Sequence, residues 1–164
     1  MEFKLGPHQS LVVPSTPWDF AVDGDADRLE KDMCEFMVAN HGIGLAANQI
    51  GLTKQVFTIG SNNIQGFPIP FAVFNPKILK VSEDVILEKE GCLSYPDLWL
   101  KIKRPKKILV EYQNSSGDTI EAEMDGLVAR CFQHEYDHLL GICFVDKVSQ
   151  MKLNLAMKKI RKMK

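Results

Sequence analysis

The 164-residue chain is 45% hydrophobic and 25% charged, and its formal net charge at pH 7 is −1. This length predicts one domain, residues 1–164, and the composition excludes a disordered or collagen-like chain. A net charge so close to zero provides no general attraction to nucleic acids or to an anionic membrane surface.

The sequence contains no segment typical of a membrane span or of a secretory signal. The longest uncharged run, residues 55–76, is interrupted by polar residues and three prolines, and the first ten residues, MEFKLGPHQS, lack an apolar core. We therefore expect a cytoplasmic protein with no membrane contact. In that compartment cysteines are free thiols or metal ligands rather than disulfides. We expect this for all four cysteines, Cys34, Cys92, Cys131 and Cys143.

The first long element is predicted to be a helix over ADRLEKDMCEFMVAN, which ends before Gly42. The segment that follows, GIGLAANQIG, satisfies G-x-G-x-x-A, one form of the dinucleotide-binding fingerprint. That fingerprint follows a strand and needs an acidic residue about 20 residues later. Here a helix precedes it, and the first acidic residue after Gly42 is Glu83. The sequence therefore argues against a dinucleotide site.

The middle of the chain is predicted to form strands, over KQVFTIG, PFAVFNPKILKV, EDVILEKEG, LWLKIK, KKILVEYQ and DTIEAEM. Residues 114–117, NSSG, are typical of a hairpin turn between the last two. GLVARCFQHEYDHLLG then predicts a helix that stops at Gly141. Strands in mid-chain and helices at both ends predict an α+β fold. We expect mixed, largely antiparallel sheets packed around this helix as the central, metal-binding element.

The segment QHEYDH in this last helix contains the pattern H-E-x-x-H. His134 and His138 lie one turn apart on the same helix face, so both imidazoles can reach one metal ion. Glu135 can then act as a base on a water at that metal. The alternative is a helix that carries two surface histidines and an unrelated glutamate.

A catalytic metal needs a third protein ligand. Phe144 occupies the position at which many H-E-x-x-H proteases carry a third histidine, and no glutamate follows Glu135. Cys131 lies about 10.5 Å along the helix from His138, which favours a packing role. Cys34 lies in the first predicted helix, and Cys143 lies just past Gly141. The remaining candidates are Asp146 and Cys92, which is flanked by a glycine in EGCLS, although a buried free cysteine is the alternative for Cys92.

The segments GIGLAANQ, EGCLS and QHEYDHLLG, in this order, resemble the three signature motifs of peptide deformylases. The resemblance extends from about Leu11 to Ser149. It implies a metal-dependent amidase that removes the N-formyl group from the initiator methionine of nascent chains and releases formate. It also implies one divalent ion, Fe²⁺, which Zn²⁺, Ni²⁺ or Co²⁺ can replace. The donor set by itself, one thiolate and two imidazoles, suits zinc.

The resemblance also assigns roles to individual residues. Glu135 would move the proton from water to the leaving amine, and the Gln49 side-chain amide and the Leu93 backbone N–H would stabilise the oxyanion. The three metal ligands would be Cys92, His134 and His138.

Four further residues would bind the substrate. Ile43 and Gly44 would hydrogen-bond its main chain, Gly91 would allow its close approach, and Leu127 would line the methionine pocket. Three charged residues could orient the ligands or could equally form surface ion pairs, namely Glu90, Arg104 and Asp137.

Two terminal segments depart from the family. The sequence LVVPSTPW at residues 11–18 leaves the local packing there unpredicted. The basic tail, residues 151–164, contains no acidic residue, and we expect a solvated, fraying end rather than a helix that docks on the ribosome. The predicted partners are formylmethionyl nascent peptides, with a possible transient ribosome contact, and we expect a monomer. The rival functions are a zinc endopeptidase and a non-enzymatic protein with a closed structural metal site.

Overall fold

The structure is a computed structural model, and it describes residues 1–163. The helices are α1 (Gln9–Val12), α2 (Ala26–Ala39), α3 (Gly126–Leu139) and α4 (Gln150–Met163), with 3₁₀ turns at Ala47–Ile50 and Phe144–Lys147. The strands are β1 (Gly44–Ala46), β2 (Val56–Ile59), β3 (Phe71–Val81), β4 (Val85–Cys92), β5 (Tyr95–Pro105), β6 (Lys107–Gln113) and β7 (Thr119–Asp125).

The strands form two antiparallel sheets. One sheet has five strands in the order β1-β2-β3-β6-β7, so that β1 lies at its edge, and β4 and β5 form a two-stranded sheet. The pairings between these named strands are antiparallel. The predicted α+β class with largely antiparallel sheets is therefore confirmed.

Helix α3 is the central element of the fold. Ten of its 14 residues are buried, and it contacts β1 and β2 of the larger sheet as well as β5 of the smaller one. Gly141 follows its end with φ +75°, and a Cβ atom there would lie 2.8 Å from the backbone oxygen of Val12. The left-handed backbone at Gly141 agrees with the predicted helix stop, and the close approach of residues 12 and 13 leaves no room there for a side chain.

Three clusters of apolar side chains hold the elements together. In the first, Phe132 of α3 packs edge-on against Phe57 of β2 at a ring-centroid distance of 5.0 Å. In the second cluster, Met33 and Met37 of α2 are fully buried. They pack against β1, β2 and β3 on the face of the larger sheet opposite to the first cluster. Burial of a side chain of this size contributes about 1.5–3 kcal/mol. The third cluster joins β5 to the C-terminal helix.

The expectation of a fraying C-terminal tail is wrong for the described residues. Residues 150–163 form α4, and Leu153, Ala156 and Ile160 pack against Leu100 and other residues of the third cluster. These apolar residues recur at i, i+3 and i+7, so they share one face of the helix. Lys164, the last basic residue of the predicted tail, lies outside the described residues.

Within residues 1–163, no helix combines the length and the apolar character that crossing a bilayer would require.

We expect Leu153→Ala to lower the free energy of unfolding by about 1–2 kcal/mol, because the half-buried side chain fills space between α4 and β5. Leu155→Ala is the matched control, since Leu155 is 57% exposed on the same helix, and its change should stay within about 0.5 kcal/mol. Urea denaturation followed by circular dichroism measures both. Equal, small losses in the two variants would contradict the docking of α4.

Candidate functional site

The three predicted metal ligands lie together. Cys92 is the last residue of β4, and His134 and His138 lie one turn apart on α3. The candidate ligand atoms of the three residues are all within 4.8 Å of one another. The Cys92 Sγ atom is 3.2 Å from His138 Nε2. Both histidines are buried, at 7% and 1% exposure, so the alternative of two surface histidines is wrong.

A local irregularity brings the thiol toward the helix. The strand register shifts between Glu90, which pairs with Leu100, and Cys92, which pairs with Tyr95. Such a bulge bends the strand and turns a side chain to a new direction. The ligand atoms of a tetrahedral site with bonds of about 2.0–2.3 Å are about 3.3–3.8 Å apart. One thiolate and two imidazoles at the observed spacing therefore fit a transition-metal ion after small adjustments.

The other candidates for a third ligand have different roles. Asp146 caps the last 3₁₀ turn, where its Oδ2 atom accepts a hydrogen bond from the Cys143 backbone N–H at 2.9 Å. Cys131 Sγ donates to the Ile43 carbonyl oxygen at 3.1 Å, in agreement with the predicted packing role. In α2, burial raises the pKa of the Cys34 thiol to about 12. All four cysteines are free, as expected.

A buried carboxylate supports the His134 ring. Glu90 Oε2 lies 2.9 Å from His134 Nδ1, so the ring donates from Nδ1 and leaves Nε2 free for a metal. Arg104 donates to both Glu90 oxygens, from Nε at 2.6 Å and from Nη2 at 2.9 Å. Arg130 Nη1 also donates to Glu90, at 2.6 Å. Burial by itself raises the pKa of Glu90, but the hydrogen bonds from His134 and Arg104 outweigh it and lower the pKa to about 2.

The question of whether Glu90, Arg104 and Asp137 are surface ion pairs is thereby answered. Glu90 and Arg104 are 6% and 3% exposed, and Arg104 Nη1 also donates to Asp137 Oδ2 at 2.7 Å. The three residues form one buried network behind the histidines. Arg130, which belongs to the same network, was missed in the sequence. Its position, four residues before His134 and hence on the same helix face, is the signal that could have found it.

Glu135 is almost fully buried, with 4% exposure, and lines the same cavity as Cys92 and His134. Burial raises the pKa of this carboxyl to about 7, although the nearby charges of His134 and Arg104 act in the opposite direction. A Cβ atom at Gly44 would overlap the Glu135 carboxylate and lie 2.8 Å from the Cys131 sulfur. The glycine at position 44 is therefore needed so that β1 can lie against α3.

Gln49 faces the site from the 3₁₀ turn after β1. Its Oε1 atom accepts a hydrogen bond from the Ala46 backbone N–H at 2.8 Å. This contact directs the amide nitrogen toward Ser94 Oγ, at 3.1 Å, and Cys92 Sγ, at 3.4 Å. Ser94, which was not predicted, thus links the Gln49 turn to the β4–β5 hairpin that carries Leu93.

A cavity of about 380 Å³ opens beside these groups. Nine of the ten predicted site residues line it, namely Ile43, Gly44, Gln49, Gly91, Cys92, Leu93, Leu127, His134 and Glu135. The tenth, His138, is buried against Cys92. The outer wall includes Trp99, which sequence reasoning did not single out.

Comparison with known proteins identifies the family to which this arrangement corresponds. The family described as polypeptide deformylase matches residues 2–154. A peptide deformylase from Agrobacterium fabrum is 42% identical over 141 residues, which cover 86% of this chain and 83% of that protein.

Solved structures agree with this result. The crystal structure of a peptide deformylase from Synechococcus elongatus in complex with actinonin has a TM-score of 0.89 and 34% identity, and the match covers 98% of this chain and 88% of that one. The crystal structure of a probable peptide deformylase from Synechococcus phage S-SSM7 has a TM-score of 0.82 and 39% identity, and the match covers 90% of this chain and 99% of that one.

We expect the protein to bind Co²⁺ with thiolate-to-cobalt charge-transfer absorption, and Cys92→Ser to remove this absorption. Loss of the thiolate should weaken binding by more than about tenfold, since even changes in groups around a ligand have effects of this size. Cys34→Ser is the matched control, because Cys34 lies on α2 outside the site. Charge-transfer absorption that persists in Cys92→Ser would place the metal elsewhere.

Proposed function

We propose that the residues around the cavity hydrolyse the N-formyl group of initiator methionine in nascent chains. The proposal follows from the family, because this chain belongs to the polypeptide deformylases. The products are formate and a free α-amino group. The observation that carries this proposal is the convergence of Cys92, His134 and His138 at a cavity that also contains a buried carboxylate.

We infer that these three residues hold one divalent ion. Their thiolate and imidazoles are common ligands of zinc and of iron, and Fe²⁺ follows from the resemblance to the family. A bound ion would supply Lewis acidity to the formyl carbonyl and to a water nucleophile. Glu90 accepts a hydrogen bond from the Nδ1–H group of His134 and thereby keeps the other ring nitrogen directed at the site.

We assign the proton transfers to Glu135. It takes a proton from the attacking water and later gives it to the leaving amine nitrogen. A base of this kind works best when its pKa lies near the working pH, and burial raises the pKa of Glu135 to about 7. The carboxylate also lies directly behind Gly44, on the edge strand β1.

The oxyanion that forms at the formyl carbon needs hydrogen-bond donors. We assign this role to the Gln49 side-chain amide and to the Leu93 backbone N–H. Gln49 is 1% exposed and is held at both ends of its amide, by the Ala46 N–H and by Ser94. A donor held in place before the reaction requires no reorganisation as charge develops.

The edge position of β1 supports the proposed substrate contacts. An extended peptide can add to an exposed sheet edge through main-chain hydrogen bonds. Ile43 and Gly44 would form those bonds on one side of the cavity, and Gly91 would allow close approach on the other. Leu127, at the first turn of α3, would contact the methionine side chain.

Four further properties are proposed at the level of the whole protein. We propose that it acts in the cytoplasm, which agrees with its four free cysteines. We also propose that residues 1–164 form one catalytic domain and that it acts as a monomer. The basic side chains of α4 would contact the ribosome transiently. Lys158 and Lys159 are exposed there, away from the apolar face of the helix.

We expect Gln49→Leu to retain the fold and the bound metal but to lose about 10²–10³ in kcat, because one oxyanion donor is removed. Formate release from formyl-Met-Ala-Ser measures the rate. Gln65→Leu, a change at an exposed position, is the matched control and should retain wild-type turnover. Wild-type turnover in Gln49→Leu would remove this residue from the mechanism. Cleavage of internal peptide bonds instead of formate release would favour an endopeptidase.

The ribosome contact has a separate test. We expect the double variant Lys158→Glu/Lys159→Glu to reduce cosedimentation with ribosomes severalfold at low salt, because exposed basic side chains attract phosphates. The double variant Lys31→Glu/Lys80→Glu makes the same change of net charge on α2 and β3 and should have little effect. Identical cosedimentation of the two variants and the wild type would reject a role for α4.

A further inference from the structure

The outer face of the two-stranded sheet carries exposed basic and aromatic side chains. We call it the β4–β5 outer face, and it consists of the outward-pointing residues Leu87 and Lys89 on β4 and Trp99, Lys101 and Lys103 on β5. All five are exposed. The strand register places Lys89 opposite Lys101 and Leu87 opposite Lys103.

The three lysines of this face lack counter-charges. None of them forms an ion pair within residues 1–163. Glu88, which neighbours Lys89, belongs to the opposite side of the sheet, where its carboxylate lies 3.2 Å from Arg130 Nε. Like charges directly opposite each other on two strands are destabilising. An acidic partner would remove this repulsion.

The β4–β5 outer face is continuous with the cavity. Lys89, Gly91 and Trp99 line the cavity as well as the edge of the face. The Trp99 ring lies over Gly91, where a Cβ atom would be 3.2 Å from three of its ring atoms, yet Trp99 is 64% exposed. A peptide that leaves the cavity over Gly91 therefore meets Trp99 first. The Lys89–Lys101 pair follows two residues farther along the strands, about 7 Å away.

We propose that the β4–β5 outer face binds the part of a formylated peptide that follows the residues held in the cavity, with a preference for acidic side chains there. The inference rests on the proposed function, because the formylated end must lie in the cavity. At about 3.3 Å per residue, three or four extended residues reach from Trp99 to Lys103. A peptide is favoured over a nucleic acid as the partner because the face begins at the cavity.

The preference is tested with two substrates, formyl-Met-Ala-Ser-Asp-Asp-Asp and formyl-Met-Ala-Ser-Lys-Lys-Lys. We expect kcat/KM at low salt to be roughly 3–10-fold higher for the acidic peptide, as two or three exposed ion pairs allow. The difference should lie mainly in KM. It should shrink in about 0.5 M NaCl, because salt screens exposed charges.

Variants locate the effect on the surface. Lys101→Glu/Lys103→Glu should abolish or reverse the preference for the acidic peptide. The matched control is Lys31→Glu/Lys80→Glu, which changes net charge equally on α2 and β3 and should keep the preference. A preference that survives in Lys101→Glu/Lys103→Glu, or equal kcat/KM for the two peptides in the wild type, would overturn the inference.

A binding experiment separates this inference from the proposed function. Trp18 is 5% exposed and Trp99 is 64% exposed, so acrylamide quenching of fluorescence reports mainly on Trp99. The unformylated peptide Met-Ala-Ser-Asp-Asp-Asp should protect Trp99, and its trilysine counterpart should not. Protection without formate release from any peptide would reject the proposed function but support the binding of acidic peptides by the β4–β5 outer face. No protection, or stronger protection by oligouridylate, would overturn the inference.

Discussion

The arrangement of the site depends on the burial of one carboxylate, that of Glu90. Removing a charged group from water costs several kcal/mol, and only excellent geometry and further hydrogen bonds offset this. Here the partners come from separate elements, with Arg104 on β5 and Arg130 and His134 on α3. The network is satisfied only when the hairpin and the helix are in the observed register. It thereby fixes His134 directly and Cys92 through Gly91, the one residue that separates Cys92 from Glu90.

The sequence predicted those elements whose own pattern is strong. The mid-chain strands and α3 were found because apolar residues recur along them with the period of a strand or a helix. Strand β1 has three residues, too few to show a period, and was predicted only as part of a binding loop. For α4, the high proportion of lysine suggested a solvated end. Its apolar stripe was present in the sequence, but its partner, β5, lies about fifty residues away, and only the fold shows that the two meet.

The same difference between local sequence patterns and contacts made only in the fold applies to the site. The residues that the three motifs predict lie together in the structure, and nine of the ten line one cavity. Arg130, Ser94 and Trp99 were missed because each acts through a contact that the fold creates. Arg130 reaches Glu90 across 40 residues of sequence, and Ser94 reaches Gln49 across 45. For Gly44, the sequence predicted only a hydrogen bond to the main chain of a substrate. The structure adds a closer reason, the Glu135 carboxylate behind it.

Two buried carboxylates lie near the proposed metal ligands, and their different surroundings suit them to different tasks. Glu90 accepts hydrogen bonds from two arginines and a histidine, and its pKa falls to about 2. Glu135 has no arginine bonded to it, and burial raises its pKa to about 7. A carboxylate of the first kind stays ionised and can orient a ligand, whereas one of the second kind can gain and lose a proton near neutral pH. If the surroundings of Glu90 and Glu135 were exchanged, the sequence motifs would contain the same residues, but Glu135 would no longer be a usable base. The arginines that stabilise Glu90 are therefore as much a part of the proposed chemistry as the residues that line the cavity.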